Sequence, residues 1–151
     1  MKKEKDKKLA EFHYKILTDN LVTANQITHW NADISENCVP CNVKDDTEHI
    51  LFNCTPIKEI WKIIENTLEI TFEAKKLLLS DYGEGINETL NTIVYTLYKF
   101  WLETTNKRAN KTVNKAKQFV KKNTLCQSKI MRIRNKELTA RYLERISDSI
   151  V

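Results

Sequence analysis

Within the seventeen residues CVPCNVKDDTEHILFNC fall Cys38, Cys41, His49 and Cys54, three of the four cysteines and one of the three histidines of a 151-residue chain. Their order is C-x2-C-x7-H-x4-C. Four soft ligands at such short spacings can converge on a single point only if the loop between them folds tightly, so they constrain the chain more than any other feature. Val39-Pro40 suits a loop that must turn two thiolates the same way. Thr47 is a candidate N-cap, which would place His49 in the first turn of a short helix with Cys54 just past its end.

Four Cys/His ligands complete a tetrahedron and leave no open position for a catalytic water, which is the pattern of a structural zinc ion. Two other readings compete. A C-x-x-C can be a redox pair, but that chemistry belongs beside a βαβ pattern, and none is visible. The cysteines could also be core residues with a chance histidine beside them. Cys126 stands apart and reads as a small helix residue.

Outside the cluster the chain is patterned for helices. Two glycines and two prolines are too few for a sheet and its tight turns. Leu9, Phe12 and Ile16 begin a first helix. Thr23 and Gln26 have capping-box spacing ahead of a short helix from Ala24 to Trp30. Thr55 as N-cap and Pro56 at the first position open another, with Ile57, Ile60, Trp61, Ile64 and Leu68 on one face. ITFEAKKLLLSDYGEG is extended or helical up to a turn at Tyr82–Gly85. A helix follows from about Glu88 to Thr104. Lys111 to Ile146 reads as two helices, with the period slipping near Asn123–Leu125. The fold expected is mostly α: a helical domain with an inserted zinc knuckle at 38–54 and a basic C-terminal helical tail. Residues 1–70 form the zinc-binding region and 71–151 a helical extension, basic over 105–146.

Phe12 to Trp61 resembles the zinc-binding region that lies downstream of the polymerase in non-LTR (LINE-type) retrotransposon reverse transcriptases. The matching elements are FHYKIL, LVT before the helix ending in Trp30, Cys38 with Cys41, the TEHILFNC block, and Trp61. Val22 stands where proline is common and Tyr14 where tryptophan is frequent, which touches packing and not the ligands. The resemblance implies that Cys38, Cys41, His49 and Cys54 hold one structural Zn2+. It also implies that the module grips RNA or DNA while a polymerase domain of the same element does the chemistry.

Charge points the same way. Residues 1–104 carry a net −5, whereas 105–151 hold 13 Lys/Arg against 3 Asp/Glu. The candidate phosphate contacts are Lys107, Arg108, Lys111, Lys115, Lys117, Lys121, Lys122, Arg132 and Arg134, with Lys129, Lys136, Arg141 and Arg145 in the same run. A one-sided stripe of this kind fits sequence-independent binding.

Nothing else assembles a reaction. There is no glycine-rich phosphate loop, no G-x-S-x-G, and no paired aspartates in a strand–turn context, so the chain is expected to be no polymerase. Asp45-Asp46 reads as a solvated loop. His13 and His29 read as packing or surface residues, and Trp30, Trp61 and Trp101 as core. No run is apolar enough to span a membrane and no secretory signal is visible, so an intracellular setting is expected. Two other functions remain open: a zinc-stabilised interaction module whose basic helices dock an acidic partner, and a thiol oxidoreductase.

Overall fold

The computed structural model describes residues 2–18, 20–71, 73, 81–106 and 110–151. Among the described residues six α-helices run in chain order: α1 (Lys2–Leu17), α2 (Ala24–Trp30), α3 (Thr55–Leu68), α4 (Ile86–Asn106), α5 (Val113–Ile133) and α6 (Glu137–Ser149). A single π-helical turn, His49–Asn53, precedes α3. Among the described residues the only β pairing is an isolated bridge between Asn37 and Lys44. The fold is mostly α with the cysteine loop inserted between α2 and α3.

Local chemistry sets several of these boundaries. The Thr23 amide and hydroxyl both donate to Gln26 Oε1 at 2.7 Å, fixing the start of α2. On α3 the expected face is buried in full: Ile57, Ile60, Trp61, Ile64 and Leu68 are each at most 7% exposed. Each such side chain contributes about 1.5–3 kcal/mol on leaving water. Trp61 also donates its Nε1 to the Leu51 carbonyl at 2.7 Å, tying α3 back to the π turn. One residue shifts from expectation. Cys54 occupies the N-cap of α3, with extended dihedrals, and Thr55 is already helical.

The C-terminal helices break elsewhere than the sequence period suggested. α5 runs unbroken through Asn123–Leu125, and the chain turns at Arg134–Lys136, where Asn135 takes a left-handed φ of 59°. The buried face of α5 is Ala116, Val120, Thr124, Ser128 and Met131. Thr124 and Ser128 hold apolar positions because their hydroxyls bond back to the Val120 and Leu125 carbonyls, at 2.8 and 2.7 Å. A search for apolar periodicity reads those two positions as a slip. They are core.

Trp30 is also placed differently. It is 74% exposed, while Trp61 and Trp101 are buried. α2 buries Ala24, and a residue six positions later lies about 120° around the helix from it. The turn at Tyr82–Gly85 is present, with Gly83 and Gly85 at φ 111° and 77°. Most of ITFEAKKLLLS, the ambiguous stretch before it, lies outside the described residues.

One continuous core joins the two halves of the chain. α5 and α6 pack along each other, and both pack on α3 and α4. α4 in turn touches the π turn and α1, where Phe12 sits edge-on to Tyr95 with ring centroids 5.0 Å apart. This brings the C-terminal extension against the cysteine loop.

Candidate metal centre

The first two cysteines sit on a tight knuckle. Cys38 N donates to the Val43 carbonyl and Asn42 N to the Cys38 carbonyl, both at 2.8 Å, and Asn42 completes the turn with φ 52°. The second pair comes from a widened helical turn. Its cap is Asp46, one residue before the expected Thr47, with Asp46 Oδ1 accepting from His49 N at 2.8 Å. The turn then opens to π geometry, and Cys54 N donates to the His49 carbonyl at 2.9 Å. In a regular α-helix residues five apart are about 140° out of line. The i→i+5 closure removes much of that offset and lets His49 and Cys54 face the knuckle together.

The ligand atoms of Cys38, Cys41, His49 and Cys54 all lie within 4.8 Å of one another. Cys54 Sγ is 3.8 Å from Cys38 Sγ and 3.9 Å from Cys41 Sγ. Tetrahedral zinc with Zn–S bonds of about 2.3 Å separates its sulfurs by about 3.8 Å, so the sulfurs already stand at ligand spacing. The His49 ring is buried beside the sulfurs, and all four cysteines are free thiols. The four residues form a site for one structural zinc.

One thiolate is favoured here, at Cys38. The hydrogen bond with Cys54 draws Cys38 down to about 5, against burial, with smaller help from His49, the Cys41 backbone and the Lys111 ammonium. The same bond, with burial, pushes Cys54 up. Cys54 Sγ also sits at the N-terminus of α3, where the helix dipole supports negative charge.

With this geometry in view, residues 2–61 match the family model described as zinc-binding in reverse transcriptase. The match covers less than half of the chain. Searches of curated proteins and of solved structures gave no match. All four residues of the ligand group fall within the matched span. The helices from α4 onward lie beyond the matched residues.

Beside the ligand group two residues, Asp45 and Lys111, are placed otherwise than their sequence suggests. Asp45 is not a solvated loop residue. It is 5% exposed, and its Oδ2 accepts from Trp101 Nε1 at 2.8 Å and from Lys111 Nζ at 2.9 Å. Lys111, one of the expected phosphate contacts, is largely buried and reaches Cys38 Sγ at 3.6 Å. One signal was available for Asp45, since a buried tryptophan N–H needs an acceptor.

The other cations of the tail divide in two. Lys121 donates to the Ile150 carbonyl at 2.9 Å and Arg145 to the Thr67 carbonyl at 2.8 Å. Arg132 forms a forked pair with Glu144, Lys136 pairs with Glu88, and Arg141 lies 3.4 Å from Glu137. Arg134 is half-buried at the C-cap of α5. Lys115, Lys122 and Lys129 are exposed on α5, and Lys117 is half-buried there. Lys107 and Arg108 lie outside the described residues. His29 is exposed and His13 half-buried, both away from the ligand group. Among the described residues no helix is long and apolar enough to cross a membrane.

Proposed function

We propose that this chain is a non-catalytic module that grips single-stranded RNA or DNA, without reading sequence, in the service of a reverse transcriptase. The zinc holds the fold and the chemistry is done by a polymerase domain. The observation that carries the reading is the stripe Lys115, Lys122 and Lys129. Spaced by seven on α5, these exposed residues lie on one face. Phe119 lies beside the stripe, half-buried against Phe100 with ring centroids 5.5 Å apart, in a groove of about 330 Å³ between Lys115 and Lys122. Glu103 lines the same groove. Cations flanking an aromatic ring suit a single strand, whose phosphates pair with the lysines while a base stacks.

The test is anisotropy with labelled RNA and DNA oligonucleotides across a salt series. Four lysines, with Lys117 counted, give a log–log slope of about −3 on a single strand. The triple change Lys115→Glu, Lys122→Glu and Lys129→Glu should abolish most of that slope. Salt-insensitive binding, or wild-type affinity in the triple variant, would overturn the proposal.

A further inference from the structure

We propose that Lys111 and Asp45 are positioning residues of the zinc site, so that metal binding and docking of the C-terminal helices are one coupled event. Lys111 and Trp101 lie outside the family-matched residues 2–61, so this part of the site is supplied by the extension.

The argument begins with charge. Zn2+ with three thiolates and a neutral imidazole carries a net −1. Asp45, 5% exposed, adds a second negative charge beside it. Two such charges cannot share a buried place without a cation. Lys111 supplies it: its ammonium touches both Asp45 Oδ2, at 2.9 Å, and Cys38 Sγ, at 3.6 Å. Trp101 Nε1 holds the same oxygen from α4. The other oxygen, Oδ1, has no hydrogen-bond partner and faces His49 Nε2 at 3.8 Å. Asp45 therefore touches the surroundings of two ligands, and outer partners of this kind orient and tune the ligands they contact.

The coupling follows from position. Lys111 sits just before the N-cap of α5, at Thr112, and reaches the thiolate only when α4 and α5 are docked on the cysteine loop. If zinc favours the docked extension, the docked extension must favour zinc by the same factor.

The test uses the full chain. Zinc affinity is measured by chelator competition, and Co2+ loading reports the thiolate charge-transfer band. Lys111→Met and Asp45→Asn should each lower zinc affinity by about 10–100-fold and shift the cobalt band. Lys111→Arg should recover part of the loss, since it keeps the charge. Wild-type affinity with an unshifted band in Lys111→Met would overturn the proposal. So would equal destabilisation of the zinc-loaded and metal-stripped chain, which is the mark of a purely structural contact. Should the variants fail to fold, hydrogen exchange on the wild type decides: stripping zinc should expose α5 amides, and unchanged protection there rejects the coupling.

Discussion

Trp101 Nε1 donates to Asp45 Oδ2 at 2.8 Å across 56 positions of sequence, so a residue deep in α4 fixes the carboxylate beside the zinc ligands. Losing the donor and losing the acceptor should differ in cost. Trp101→Phe removes one bond to a charged acceptor that keeps Lys111, a loss of about 1.5–3 kcal/mol. Asp45→Ala leaves the indole N–H without its acceptor and the buried ammonium with only the Cys38 sulfur at 3.6 Å, and should cost about 3–5 kcal/mol. Urea denaturation of the zinc-loaded protein gives the ranking. A milder effect for Asp45→Ala would refute the arrangement.

One zinc per chain is expected, lost on Cys41→Ser or His49→Ala with partial unfolding, because the knuckle and the π turn are held together by the ligands. Elemental analysis of protein purified without chelator checks this, and a metal-free product contradicts it.

Zinc uptake should release protons, and fewer than three. The ligands must bind as thiolates, and Cys38, drawn down to about 5, is already ionised at neutral pH, whereas Cys54 is pushed up and must surrender its proton. Protons therefore compete with zinc for the thiolates, and affinity falls as pH falls. Calorimetry in buffers of different ionisation enthalpy counts the protons. A count of three or more would contradict this assignment.

Gly85 and Gly83 should respond unequally to alanine. Both hold positive φ, so both variants strain the backbone. At Gly85 the new Cβ also meets Leu138 Cγ at 2.8 Å, while at Gly83 nothing lies within 4 Å. Gly85→Ala should therefore be the less stable by about 1–3 kcal/mol, because the Leu138 side chain must give way. Equal midpoints in thermal unfolding would show that Leu138 yields without cost.

For nucleic-acid binding, charge and stacking should separate. Phe119→Leu keeps the lysines, so the salt slope should stay while affinity drops by about 1–3 kcal/mol. An unchanged affinity would remove stacking and leave a purely electrostatic stripe.

Short-range patterns were legible in the sequence because short-range physics produces them. The ligand set, the span of α2 and the buried face of α3 follow from spacing, capping and helical period, and each appears where expected. The break in the C-terminal helices was misplaced because Thr124 and Ser128 satisfy their hydroxyls within the helix and pass as core. Trp30 was misjudged because a seven-residue helix has too little apolar surface to reveal which side is inward.

The sequence by itself determined which four residues could hold a zinc ion, since the spacing C-x2-C-x7-H-x4-C is a local pattern. Only the tertiary structure decided what surrounds the metal. Asp45 and Lys111 look like surface charges along the chain, yet they meet across 66 positions, under Trp101 and against Cys38. Whether a charge is buried depends on which elements pack over it. That is a property of the assembled core, which no local pattern carries.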